Sequence, residues 1–95
     1  MEFVREQNKI FLNDNNNHMI AAVTFPKIQE NVVNIDHTFV DESLRGQGIA
    51  GMLMEATVAT LRENQQKAKI TCSYATKWFE EHPDARDVLE NNKMF

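Results

Sequence analysis

The sequence predicts an α/β (α+β) fold that runs β-β-β-α-β-α, an antiparallel meander joined to a parallel βαβ unit. Three observations predict it. Apolar residues alternate with a period of two up to Val40, as half-buried strands require. A glycine-rich turn, Arg45-Gly46-Gln47-Gly48-Ile49-Ala50, then opens a stretch with helical apolar spacing from Ile49 to about Gln65. Lys69-Ile70-Thr71-Cys72-Ser73 follows, short and β-prone, and a right-handed crossover would return it parallel to the third strand.

Taken in order, Phe3 to Leu12 reads as a first strand, its alternation imperfect. Asn13-Asp14-Asn15-Asn16-Asn17 reads as a turn, because these residues accept left-handed geometry and bond their own backbone. Met19, Ala21, Val23 and Phe25 alternate across a second strand that Pro26 ends. Val32 to Val40 is a third strand, with Val33, Ile35, His37 and Phe39 on one face and Asn34, Asp36 and Thr38 on the other. The long helix is expected to turn Ile49, Met52, Leu53, Ala56 and Ala59 inward, opposite Glu55 and Arg62. Tyr74 to Glu81 is a second helix, stopped before Pro83 because the residue ahead of a proline is pushed out of helical geometry. Asp84 reads as the N-cap of a short helix that faces Ala85, Val88 and Leu89 inward.

Composition narrows the function classes. A chain of 95 residues, 42% hydrophobic and 25% charged, is expected to form one soluble domain over residues 1–95, without repeats or linkers. The net charge of −4 and the lack of a basic stripe argue against a nucleic-acid partner. No apolar run approaches the roughly 20 residues that span a bilayer, so no membrane association is expected. Met1-Glu2-Phe3-Val4-Arg5 lacks the regions of a signal peptide, which points to a cytoplasmic protein; a monomer is expected. The single cysteine forms no intrachain disulfide, and three dispersed histidines show no metal-ligand spacing, so no metal is expected.

The turn carries the chemistry. A strand leading into a glycine-rich turn that opens a helix gathers unpaired N–H groups at the positive end of the helix dipole, a place for an anion and above all phosphate. Glycine there lets backbone approach the ligand closely. The dinucleotide spacing is met by Gly46, Gly48 and Gly51, but no acidic residue follows at the ribose distance, and Lys67 to Thr71 is basic or neutral. No Gly-Lys-Ser/Thr closes a P-loop.

The pattern R/Q-x-x-G-x-G/A fits, as Arg45, Gly48 and Ala50, after a strand ending Thr38-Phe39-Val40, the acidic pair Asp41-Glu42, and Ser43-Leu44. It resembles the coenzyme A pyrophosphate loop of the GCN5-related N-acetyltransferases. The resemblance spans Met19 to Ser73, and Tyr74 to Pro83 fits the family's small single-domain branch. It implies a minimal form of that fold, with the third and fourth strands splayed so that the pantetheine arm of acetyl-CoA enters between them. Phe39 and Val40 would then meet the pantetheine amides, backbone N–H groups from Gly46 and Gln47 through Gly48, Ile49 and Ala50 would hold the pyrophosphate, and Arg45 would close over it.

By the same resemblance the thioester lies near His37, Cys72 and Tyr74. Each has two readings. Cys72 is either a small buried hydrophobe or a group beside the thioester that takes the acetyl or bonds near it. His37 is a packed strand residue or a base for an ammonium acceptor. Tyr74 packs the last helix or protonates the departing thiolate. Asp41 and Glu42 are a solvated flank or a base acting through water. His18 is expected to be exposed, His82 to complement a helix dipole, and Trp78 and Phe79 to pack the last helix on the sheet.

Two departures from the resemblance stand out: only Asn13 to His18 separates the first two strands, where fuller members carry helices shaping the acceptor site, and no strand is read after the last helix. The functional expectation is transfer of acetyl from acetyl-CoA to an amine. The alternatives are a non-enzymatic acetyl-CoA-binding module, acting as a sensor or partner-binding protein, and an interaction domain whose turn merely starts a helix.

Overall fold

The computed structural model describes residues 3–90. Its elements are β1 (Val4–Glu6), β2 (Lys9–Asn13), β3 (Met19–Thr24), β4 (Lys27–Gln29), β5 (Val32–Ile35), β6 (His37–Val40), α1 (Ile49–Glu63), β7 (Lys67–Ile70) and α2 (Ser73–Glu81). One 3-10 turn, Glu42–Leu44, precedes α1 and another, Pro83–Val88, follows α2. The strands form two sheets. One is antiparallel in the order β1-β2-β3-β6; the other runs β4-β5-β7, with β5 and β7 parallel. Meander, glycine turn, long helix and parallel return all appear in the expected order, so the fold is the mixed α+β one read from the sequence.

The differences have local causes. Phe3 to Leu12 is a hairpin and not one strand. Asn8 turns it at a φ of 64° and is tied down twice, its side-chain amide donating to the Phe25 carbonyl and its own carbonyl accepting from the Phe25 N–H, each at 2.9 Å. A second tight turn, with Asn31 at φ 63°, folds the fully exposed β4 back onto β5. The strand expected from Val32 to Val40 breaks at Asp36, and its two halves join different sheets.

The last strand begins earlier than expected, at Lys67, and ends at Ile70, which leaves Cys72 as the N-cap of α2 and Ser73 as that helix's first residue. His82, not Asp84, caps the closing 3-10 turn, with Pro83 at its first position. Ala85, Val88 and Leu89 are buried as expected, and Leu89 bridges Ala68 in parallel, a trace of a further strand.

The buried stripe of α1 is Ile49, Leu53, Met54, Thr57, Val58 and Leu61, whereas Met52 is 47% exposed and Ala59 faces solvent. The expected face passed over Thr57 because it is polar. Its hydroxyl donates to the Leu53 carbonyl at 2.8 Å, and that bond makes its full burial tolerable. No helix among the described residues is long and apolar enough to cross a membrane.

The far end of α1 is tied to the closing turn by Arg62, whose guanidinium grips Asp87 in bidentate fashion at 2.6 and 3.0 Å and also donates to the Asp84 carbonyl. The hydrogen bond from Arg62, above all, holds the Asp87 carboxyl below its ordinary pKa. A group with a depressed folded-state pKa contributes stability above its unfolded pKa and loses that contribution as pH falls through the folded value. Asp87→Asn is therefore expected to lower the urea midpoint at pH 7. The deficit should shrink only once pH drops below the ordinary carboxylate value of 3.8. Leu53→Ala, at a site with no solvent exposure, is expected to cost about 3 kcal/mol in the same titration.

Candidate functional site

The site begins where the strands part. The Ile35 carbonyl accepts from both Thr71 N–H and Cys72 N–H, at 3.0 and 3.2 Å, and β5 and β7 pair no further than Ile35 opposite Ile70. Beyond this point the chain turns away at Asp36, and β6 pairs only with β3. β6 is thus an edge strand whose free side faces the gap.

Which of its backbone groups are free follows from the ladder. Asp41 donates to the Ile20 carbonyl at 2.8 Å, so that pair is a hydrogen-bonded one. Bonded and non-bonded pairs alternate in an antiparallel ladder. Ala22 and Phe39 are therefore bonded to each other, while Thr38 and Val40 direct their N–H and C=O groups away from β3. The break also shifts the side-chain phase. Val33 and Ile35 are buried, yet His37 and Phe39 are exposed, and Thr38 and Val40 take the half-buried positions.

The turn into α1 is built by Asp41. Its carboxylate accepts from the Ser43 hydroxyl at 2.6 Å and the Ser43 N–H at 3.0 Å, which caps the Glu42–Leu44 turn and lowers the Asp41 pKa. Arg45 and Gln47 then donate to the carbonyls of Glu42 and Leu44. Gly46 and Gly48 take φ of 84° and 73°. A Cβ at either would meet nothing within 4 Å, so within the protein itself it is the left-handed backbone, not crowding, that calls for glycine.

Inside α1 the first N–H to be satisfied is that of Met52, by the Gly48 carbonyl at 3.1 Å. Among the described residues no backbone carbonyl accepts from Gly46, Gly48, Ile49, Ala50 or Gly51. This leaves a run of open donors at the positive end of a 15-residue helix.

These donors border a cleft of about 420 Å³, within the usual range for small-ligand sites. Of the residues singled out in the sequence, Val40, Arg45, Gly46, Gly48, Ile49, Ala50 and Tyr74 line it. Thr38, Leu44 and Gly51 complete the lining and were not singled out. Gln47 lies in the loop without lining the cleft. His37 and Phe39 lie on the other face of β6, and Cys72, half-buried, does not line the cleft but donates its thiol to the Thr38 hydroxyl at 3.5 Å. Thr38 was hidden because its position depends on the phase shift at Asp36; the one signal was that charged residue in the middle of an apolar strand.

Tyr74, in the first turn of α2, is 38% exposed. Partial burial, then the charges of Glu81 and Cys72, raise its pKa above the ordinary 10.0, which keeps the phenol protonated at neutral pH. The two helices lie side by side here, and a Cβ at Gly51 would make ordinary contacts, 3.8 Å from Trp78 Nε1 and 4.0 Å from the Tyr74 hydroxyl. Trp78 and Phe79 are core residues, as expected. His82 stacks on Trp78 with centroids 4.0 Å apart, and its Nδ1 lies 2.6 Å from the Trp78 carbonyl at the helix end. His18 is exposed beside Asp14.

Known structures share this architecture. The solution structure of a GCN5-like protein from Staphylococcus aureus superposes with a TM-score of 0.78 at 35% identity, over 93% of this chain and 86% of that one. Rv2747 from Mycobacterium tuberculosis, solved in complex with CoA, shares the fold at a TM-score of 0.64 and 15% identity, over 81% of this chain and 48% of its own. Protein NATD1 of Mus musculus is 30% identical over 83 residues, 87% of this chain and 76% of NATD1. The family model described as GCN5-related N-acetyl-transferase matches residues 9–88. The chain belongs to the GCN5-related N-acetyltransferase family.

Proposed function

We propose that this protein is an acetyl-CoA-dependent N-acetyltransferase that moves an acetyl group to an amine. The observation that carries the reading is the set of open N–H donors at Gly46, Gly48, Ile49, Ala50 and Gly51, at one end of a cleft whose other end reaches Thr38 on β6. The presence of CoA in the Rv2747 structure is in keeping with it. The open donors of Gly46, Gly48, Ile49 and Ala50 hold the pyrophosphate, the Gln47 N–H being taken by the Leu44 carbonyl, and the exposed Arg45 guanidinium closes over it. The free backbone groups of Thr38 and Val40 meet the pantetheine amides, with Phe39 between them holding β6 to β3.

The neutral amine attacks the thioester carbonyl carbon, whose oxygen is polarised by a free backbone N–H of β6. The C–S bond then breaks with its electron pair on sulfur, Tyr74 gives that sulfur its phenolic proton, and the amine proton passes to water. The products are an amide and free CoA thiol, and water returns a proton to Tyr74. His37, on the far face of β6, takes no part. The same reading places the protein in the cytoplasm as a single-domain monomer over residues 1–95, without a nucleic-acid partner.

A second reading, a CoA-binding module without turnover, is favoured by one observation: the short Asp14–His18 turn alone joins β2 to β3, and among the described residues no helix lies between those strands to wall an acceptor side. Release of free thiol from acetyl-CoA on supplying candidate amines separates the two; CoA binding with no thiol from any amine leaves the module.

Gly48→Glu should fold, since its side chain meets open space and its left-handed backbone costs only about 1 kcal/mol. Its carboxylate sits where the pyrophosphate belongs, so calorimetric titration with CoA should show no binding. Undiminished affinity in the folded variant would remove the loop from the site. Tyr74→Phe should lower kcat roughly 100-fold while leaving the KM for acetyl-CoA within about threefold. Because the Tyr74 pKa is raised, the wild-type rate should climb as the amine deprotonates and not decline until pH passes the ordinary 10.0.

A further inference from the structure

The reach of the cleft along β6 to Thr38 bears on which acyl groups it takes. We infer that Thr38 and Cys72 form the closed end of the acyl site and restrict it to acetyl, an assignment that rests on the CoA-binding orientation proposed above. With the pyrophosphate at Gly46 to Ala50, the arm runs back along β6 from Val40 to Thr38, toward the point where β5 and β7 join. The acyl group is the last part of the ligand and arrives at Thr38.

The gap ends there. The Cys72 thiol donates to the Thr38 hydroxyl at 3.5 Å and spans the opening from α2 to β6. Thr38 lines the cleft and the half-buried Cys72 does not, so the thiol backs the Thr38 hydroxyl from outside the cleft. Behind it the Ile35 carbonyl takes the N–H groups of Thr71 and Cys72, and Asn34 donates to the Thr71 hydroxyl at 3.0 Å. Ile35 and Ala75 have no solvent exposure. A longer acyl chain has to part the Thr38–Cys72 contact and push against strands already joined. Packed interiors yield little to an added methylene, and the Ile35 backbone that joins the strands belongs to a fully buried residue.

The test is calorimetric titration of the full chain with free CoA, acetyl-CoA, propionyl-CoA and butyryl-CoA. The expected result is that CoA and acetyl-CoA bind within a few-fold of each other, while affinity drops roughly tenfold for each added methylene. The double variant Thr38→Ala/Cys72→Ala should bring butyryl-CoA to within about threefold of acetyl-CoA. Cys72 makes no side-chain cap bond to α2, so its removal spares the helix start. If the double variant does not fold, Thr38→Ser, which removes one methyl and keeps the hydroxyl, should by itself raise the affinity for butyryl-CoA relative to acetyl-CoA. Equal binding of all four ligands by the wild type overturns the assignment, as does a preference that persists unchanged in a folded variant. Failure of free CoA to bind is a different result: it overturns the proposed function and this inference with it.

Discussion

The departure of the chain at Asp36 from one sheet to the other is the constraint on which the remaining geometry depends. An unbroken strand would pair with β3 on one side and β7 on the other along its whole length, and no gap would exist. Asp36 enforces the exit through two bonds to one residue. Its carboxylate accepts from the Thr24 hydroxyl at 2.5 Å, and its N–H donates to the Thr24 carbonyl at 3.3 Å. On the other flank, the Ile35 carbonyl takes two N–H groups at once and so ends β7 at the same level. The break therefore produces both the gap and the side-chain phase that turns Thr38 and Val40 toward it.

Helix α1 makes this arrangement rigid. Its buried stripe extends to its first residue, Ile49, only 2% exposed, so the end that bears the open N–H donors is anchored in the core. Helix ends held only by their own hydrogen bonds fray. Here Leu53, Met54 and Leu61, all without exposure, fix the rest of the helix against the core. The donors are presented in one geometry before any ligand arrives, which reduces the ordering cost of binding.

Much of this was legible in the residues because it depends on local rules. Gly46 and Gly48 occupy positions with positive φ, and the helix beginning at Ile49 is where its apolar spacing put it. What escaped were non-local decisions. The tight turns at Asn8 and Asn31 lacked the Asn-Gly pairs that announce hairpins, and Asn8 is held by Phe25, 17 residues away. The burial of Thr57 rests on a back-bond to its own helix that a polarity pattern does not show. The phase shift at Asp36 moved His37 and Phe39 out of the cleft wall and Thr38 into it, because a period-two pattern carries no record of a strand changing partners.

The uneven legibility of the proposed cofactor and acceptor sides has a physical reason. An anion held by backbone N–H groups asks little of side chains: it requires a strand end, two left-handed positions and a helix start, and only glycine leaves a visible mark there. Such a site is compatible with relatives about 30% identical to this chain, since its donors belong to every residue type except proline. An acceptor pocket must instead be shaped by particular side chains on elements that wall it, and the Asp14–His18 turn supplies no such wall. On the acyl assignment proposed above, discrimination in a chain this small falls to the region already rigid for other reasons, the crotch of the parted strands. There the Thr38–Cys72 contact sits on an edge strand and a helix N-cap, both fixed by their bonds to the sheets and core, and not on a mobile loop.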